Sequence, residues 1–356
     1  MRIKGITYLV LGLALGSLLL MLAAPDNRPA GSPDPATADR ERAGTERSDD
    51  SFSLLADALD PSLQMELEGI VRKQGLWPAV EKGDLALLLA IVTDPARPRM
   101  AELNGHQMMY AASLPKIAIL FGAAVSIERG RLQPTQALRQ DMVDMIRVSC
   151  NDCATRVLEQ VGREELIELL QAPEYAFYDP NGEGGLWVGK DYAQAEAYHR
   201  DPLFGLSHGA TAFQVARFYY RLKTGTLVGP ESTELMLEAM SRPGIRHKFV
   251  KGLEGIPGIR MLRKSGTWKT FHADSALVQY RDQTYIMVGL ANNENGGQWL
   301  AQLASPLNEL VNTEGRNGRR LARLTDPAHE VTEHQGTGGA ARPALPEGVG
   351  GSPVPQ

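Results

Sequence analysis

Three short strings place hydroxyls and ammonium groups where acyl-transfer chemistry uses them: Ser113-Leu114-Pro115-Lys116, Ser149-Cys150-Asn151 and Lys264-Ser265-Gly266. A serine hydroxyl is a weak nucleophile until a neighbouring base takes its proton. Ser113 and Lys116 stand three apart, so a helical backbone puts them on one face. A solvated lysine stays protonated at neutral pH and is no base. Among Ala111, Ile117 and Leu120 the Lys116 ammonium would be desolvated, and desolvation lowers a lysine pKa. Pro115 suits a first helical turn, where its missing N–H costs nothing. Free N–H groups and the positive dipole end beside Ser113 would favour an oxyanion. A surface helix start with a capping serine and a solvated lysine satisfies S-x-x-K equally well. The ordered trio is the stronger signal.

Taken together as S-x-x-K, S-x-N and K-[ST]-G, the strings resemble the site of the penicillin-recognising serine hydrolases, the class A β-lactamases and penicillin-binding proteins. The resemblance implies Ser113 as nucleophile, Lys116 as its base and Ser149 as proton relay to the leaving nitrogen. Asn151 would orient Lys116 and bind the substrate's amide side chain. Lys264, on an edge strand facing the helix, would hold a substrate carboxylate with Ser265. The backbone N–H groups of Ser113 and Thr267 would form the oxyanion hole, where one lost donor typically costs about 10²–10³ in rate. A side chain at Gly266 would block the approach of substrate to the strand.

Two features depart from the class A pattern. Those enzymes carry a deacylating glutamate in E-P-x-x-N ahead of the next helix, and the segment from Asp179 to His208 contains no such string. Glu183 and Glu196 are its only glutamates, and Glu196, nearer the expected distance from Thr211, is either a stand-in base or a solvated loop carboxylate. Ser149 also follows Ser113 by only 36 residues, which would remove one wall of a helical lobe and open the cleft.

Other polar residues have structural readings beside the functional ones. His272 and Asp274 would share one side of a strand, as a cleft cluster or a structural pair. Arg260 and Arg263 either assist carboxylate binding or lie on a solvated face. His199, His208 and His247 lack metal-ligand spacing. Cys150 and Cys153 form C-x-x-C, read as packing or a local disulfide rather than a redox centre, since no βαβ pattern surrounds them. Trp187, Trp268 and Trp299 are read as core or cleft walls.

The elements that must position these residues follow from periodicity. Leu63, Leu67, Ile70 and Val71 mark one helix face, and Leu85 to Thr93 is a buried strand. Helices are expected from Ser113 to Glu128, around Leu138, Met142, Met145 and Ile146, and from Ala154 to Val161. Thr211 with Gln214 caps another that stops at Gly225. Ile259 to Lys269, Ala273 to Tyr280 and Thr284 to Leu290 read as strands, and Trp299 to Val311 as a last helix. The order predicts an α/β (α+β) sandwich: an antiparallel sheet drawn from both chain ends with a helical lobe inserted, as the β-lactamase/transpeptidase resemblance implies.

The chain has 356 residues and a formal net charge of −5, with scattered basic residues that give no nucleic-acid surface. Arg2 and Lys4 precede the uncharged run Ile6–Ala24, about 28 Å as a helix, read as a membrane anchor or a signal segment. Either places the rest outside the cytoplasm. Residues 25–53 read as a disordered linker spanning about 30 Å, residues 54–312 as the hydrolase domain and residues 313–356 as a disordered tail. The expectation is a membrane-anchored monomer without cofactor or metal. Its leading activity is β-lactam hydrolysis through a Ser113 acyl-enzyme. Cell-wall peptidoglycan peptide cleavage, a slow-turnover β-lactam sensor and a non-catalytic wall-binding module are the alternatives.

Overall fold

A computed structural model describes residues 55–325, with side chains to residue 315. The apolar run and the linker expected over residues 1–53 lie outside the described residues, as does the tail beyond 325. Among the described residues no helix is long and apolar enough to cross a membrane.

The first helix, α1 (Pro61–Lys73), buries Leu63, Leu67 and Val71 as one stripe and starts where the Asp60 carboxylate accepts the N–H groups of Ser62 and Leu63. A short α2 (Trp77–Glu81) leads into β1 (Leu85–Ile91), which is buried along its whole length. Its alternate residues enter two separate cores. Leu85, Leu87, Leu89 and Ile91 join one, and Ala86, Leu88 and Ala90 the other. An apolar run without alternation thus marks a strand covered on both faces.

The strands β2 (Arg99–Leu103), β8 (Arg260–Trp268), β9 (Phe271–Tyr280) and β10 (Gln283–Asn292) complete an antiparallel sheet in the order β2-β1-β10-β9-β8. Both chain ends supply it, as the pattern predicted. The last helix, α10 (Gly296–Thr325), packs with α1 over one face. It runs past Asn312, so the residues just beyond that boundary are helical rather than the start of a disordered tail.

The other face carries the lobe. Its centre is α3 (Lys116–Glu128), apolar all round and buried from Lys116 to Ser126. Around it stand α4 (Gln136–Arg147), α5 (Asn151–Val161) and α6 (Arg163–Gln171). A Cβ on Gly122 would lie 2.9 Å from Leu166 Cδ1 and 3.0 Å from Val161 Cγ1, so glycine lets the α5–α6 corner close onto α3. Two short hairpin pieces follow, β4 (Tyr178–Asp179) with β5 (Gly184–Gly185), in a stretch read from sequence as loop. A three-stranded ribbon joins β3 (Met109–Tyr110), β7 (His208–Ala210) and β6 (Trp187–Val188) beneath the lobe. The capped helix is α7 (Ala212–Thr224): Thr211 Oγ1 accepts from Gln214 N at 3.2 Å, and Gly225 ends it at φ 70°. The lobe closes with α8 (Pro230–Met240), whereas the short α9 (Phe249–Gly252) packs on the opposite face, where Phe249 joins the core under α1 and α10.

Candidate active site

Ser113 lies in the turn immediately before α3, and Pro115 is the residue that caps the helix rather than one inside its first turn. Ala112, just ahead of the serine, has φ 51°, an uncommon value for a side-chain-bearing residue. Lys116 is the first residue of α3 and is fully buried. Burial alone pushes its pKa down to about 7.

The ammonium of Lys116 is directed at the Ser149–Asn151 turn. It donates to Ser149 O at 2.7 Å and Asn151 Oδ1 at 2.7 Å, and more weakly to Cys150 O at 3.3 Å and Ser149 Oγ at 3.4 Å. Asn151 Oδ1 is thus one of the two nearest acceptors of the Lys116 ammonium. The Ser113 hydroxyl is not a partner in these bonds; contacts of this kind often tighten only when substrate binds. Ser149 takes φ 62°, and Cys150 caps α5 through its sulfur, bonded to Cys153 in a disulfide. The C-x-x-C pair is a local crosslink at the helix start.

The third string lies on edge strand β8. Lys264 Nζ donates to Ser149 Oγ at 3.0 Å and to Ser265 O at 2.5 Å. Ser149 Oγ thus stands between the two lysine ammoniums. Lys264 is only 1% exposed, and Ser265 and Gly266 are buried with it, whereas Thr267 is exposed. Gly266 has a different reason from the one the sequence suggested. A Cβ there would stand 2.2 Å from Ala111 O and 2.7 Å from Ser113 N, so it would strike the backbone of the Ser113 turn. Absence of a side chain brings β8 against the Ser113 turn.

Sequence reasoning missed Lys248. It is buried at φ 53°, and its ammonium donates to Gly266 O at 2.5 Å, Thr267 Oγ1 at 2.9 Å and Ala273 O at 3.0 Å. Burial lowers its pKa to about 8. The surrounding Arg246-His247-Lys248 carries no periodicity or motif, so only the tertiary contact reveals it. Arg263 does not face the cleft: it forms a buried, two-pronged ion pair with Asp274, at 2.7 and 2.8 Å. Arg260 is exposed. His272 sits opposite Thr267 across the strand pair, while Asp274 sits opposite Ser265 and is held by Arg263. His272 and Asp274 form neither of the arrangements expected for them. Lys116, Lys248 and Lys264 are thus three buried amines in one region, and the Arg263 charge beside them is paired with Asp274. Burial, then repulsion from Lys116 and the other cations, holds the Lys264 pKa well below its ordinary value.

Neither loop glutamate reaches Lys116. Glu183 contacts His106 Nδ1, and Glu196 is exposed. The loop is organised instead by buried Asp201, whose carboxylate accepts from Tyr178 Oη at 2.9 Å and from the N–H groups of Leu203, Phe204 and Leu206. From this loop Tyr192 reaches the site. Its ring centroid lies 4.4 Å from Lys116 Nζ, and its hydroxyl donates to Ala112 O at 3.2 Å. No motif marks Tyr192 in the sequence. His199 contacts Glu164 and His247 contacts Arg263, while His208 packs on the Tyr192 ring at 4.3 Å, and burial lowers its pKa to about 4. Trp187 is fully buried, and Trp268 is exposed at the end of β8. Among the described residues no group of His, Cys, Asp and Glu could hold a metal ion.

A model of the β-lactamase enzyme family matches residues 138–311, a span holding two of the three strings. The chain carries a β-lactamase-like domain. Solved structures share its fold at low identity. PBP-A is 17% identical, with a TM-score of 0.54 over 72% of this chain and 97% of the other. A β-lactamase from Sphaerobacter thermophilus is 16% identical, with a TM-score of 0.53 over 69% and 94%. A class A β-lactamase from Bacteroides cellulosilyticus is 12% identical, with a TM-score of 0.52 over 70% and 97%. No curated protein matches this β-lactamase-like chain in sequence.

Proposed function

We propose that the β-lactamase-like domain is a serine hydrolase acylated at Ser113 by a carboxylate-bearing amide, with β-lactams as the leading substrate class. The observation that carries this reading is Ser149 Oγ held between the buried ammoniums of Lys116 and Lys264. Neutral Lys116 takes the Ser113 proton as Oγ attacks the carbonyl. The developing oxyanion is met by the N–H groups of Ser113 and Thr267. The C–N bond breaks, and the leaving nitrogen takes a proton from Ser149, which is resupplied by Lys116. The acyl group remains on Ser113, with Asn151 beside it for the amide side chain. Incubation with benzylpenicillin should add one intact adduct mass on the Ser113 peptide. Ser113→Ala should abolish it, and an adduct elsewhere would end the assignment. Lys264→Ala should lose far more activity on a carboxylate-bearing substrate than on its methyl ester; equal losses would make Lys264 structural.

A second reading, slow turnover as a sensor or a cell-wall peptidase, is favoured by one observation. The hydrogen-bond acceptors of Lys116 among the described residues include no carboxylate, the Tyr192 ring lies over its ammonium, and Glu183 contacts His106. A burst near one equivalent followed by weak turnover is expected under this reading. Fast, burst-free hydrolysis would exclude it. The Cys150–Cys153 disulfide supports placing the domain in an oxidising compartment, tethered outside the cytoplasm by the N-terminal apolar run.

A further inference from the structure

Tyr192 touches both halves of the catalytic pair from one loop position. Its hydroxyl donates to the carbonyl of Ala112, and that carbonyl belongs to the same peptide group as the N–H of Ser113. A peptide group is planar, so fixing its oxygen fixes the direction of its N–H. Ala112 sits at φ 51°, a conformation that the surroundings must hold in place. The ring of the same residue lies over the Lys116 ammonium at 4.4 Å, a contact additional to those from the Ser149–Asn151 turn. The same ring packs against His208 at 4.3 Å between centroids, so the tyrosine contacts both α3 and β7. Tyr192 is almost wholly buried, and burial pushes its phenol far above the ordinary range, so it stays a neutral donor.

We propose that Tyr192 is a positioning residue for acylation: its hydroxyl aims the Ser113 N–H as an oxyanion donor, and its ring keeps water off Lys116. The proposal rests on Ser113 being the nucleophile. It assigns the two parts of one side chain to two different steps, and these separate experimentally. The groups facing Lys116 are Lys264 from β8, Ser149 and Asn151 from the α5 start, and His208 from β7, with Lys190 and Asp191 near His208. No carboxylate among the causes of its lowered pKa offsets the effect of burial, so the ring's exclusion of water bears directly on it.

The test uses Tyr192→Phe and Tyr192→Leu in the full chain, with thermal unfolding to confirm folding. Tyr192→Phe keeps the ring and loses one neutral hydrogen bond. It should slow the acylation step about two- to tenfold, leave the initial non-covalent affinity unchanged, and weaken a phenylboronic acid adduct by the same factor. Its half-maximal pH should not move. Tyr192→Leu should in addition shift the Lys116 titration, followed by NMR of labelled lysine, upward by at least one pH unit as water reaches the ammonium. Unaltered acylation and boronate binding in Tyr192→Phe would overturn the first half. An unshifted Lys116 titration in folded Tyr192→Leu, or in Tyr192→Val should the leucine variant not fold, would overturn the second. The NMR titration reads Lys116 without any acylation. If wild-type protein takes neither penicillin nor boronate, it is the Ser113 reading that fails, and the titration still decides the role of the ring.

Discussion

Lys116 and Gly266 show how much of the site rests on single side chains. Lys116 is buried without a carboxylate partner, and its pKa near 7 makes it half neutral at physiological pH. Since only the neutral amine accepts a proton, the acylation rate should rise with pH and level off, with its midpoint near pH 7. Lys116→Ala should cost about 10²–10⁴ in that rate. Lys116→Arg should not rescue it, because a guanidinium stays protonated in proteins. Rates independent of pH from 5 to 9 would remove Lys116 as the base. Gly266→Ala tests geometry instead. The added methyl would stand 2.2 Å from Ala111 O, so β8 and the Ser113 turn must separate. Overpacking of this kind costs about 1–3 kcal/mol of stability. Acylation should fall by more than 100-fold even where the protein still folds, measured by burst amplitude and rate. An active Gly266→Ala variant would show that the close approach is not needed.

Elements were legible in proportion to how strongly local pattern determined them. The run Leu85 to Thr93 and the four-residue apolar stripe on α4 appear in the structure as read, because burial on one or both faces leaves a periodic record. Thr211 and Gly225 likewise mark both ends of α7, since cap chemistry is local. The short edge strand β2 carries Arg99 and Glu102 and has too few residues for a period, so it was missed. Helix α6, capped by Gly162, and α8, opening on Pro230, had boundary signals that went unread. At the site, the three motif strings were legible as types and spacings. The partners of Lys264 and Arg263 were not, because strand register and helix docking bring them from more than ten residues away. The disulfide belongs to this scale. Cys150 and Cys153 close a loop so short that the chain-entropy term is worth only about 2 kcal/mol. Yet Cys150 O is a Lys116 acceptor and Ser149 holds φ 62° beside it. Reduction, or Cys150→Ser with Cys153→Ser, should therefore slow acylation by more than the stability loss explains, with the folded population verified by near-UV circular dichroism. Unchanged acylation after complete reduction would confine the crosslink to stabilising the start of α5.

Over the whole molecule, the buried cations predict an unusual dependence of stability on pH. Burial lowers the folded-state pKa of Lys116 to about 7 and of Lys248 to about 8, and holds Lys264 well below its ordinary value. Each depressed lysine binds fewer protons folded than unfolded between its folded pKa and about 10.4, its ordinary value. Stability therefore rises with pH across that window, by up to about 1.4 kcal/mol per pH unit for each group. His208 and His247, lowered to about 4 by burial, act with the same sign at lower pH: their contribution is lost as pH falls through about 4. Buried Tyr219 and Tyr285 act oppositely. Their raised pKa means that the unfolded chain releases protons first, so stability falls as pH climbs above about 10. The balance places maximum stability between about pH 8 and 10, above the usual range of about pH 5 to 8. Urea unfolding at constant ionic strength from pH 5 to 10, under non-reducing conditions, should show the free energy still rising beyond pH 8. Lys116→Met should flatten the rise between pH 7 and 9 while abolishing acylation, because the buried charge that opposes folding at neutral pH is the same group that must lose a proton to act. A maximum at pH 6 to 7, or a slope untouched by Lys116→Met, would mean that these ammoniums are solvated well enough in the folded state to keep their ordinary pKa values, and the proposed base would lose its physical basis with them.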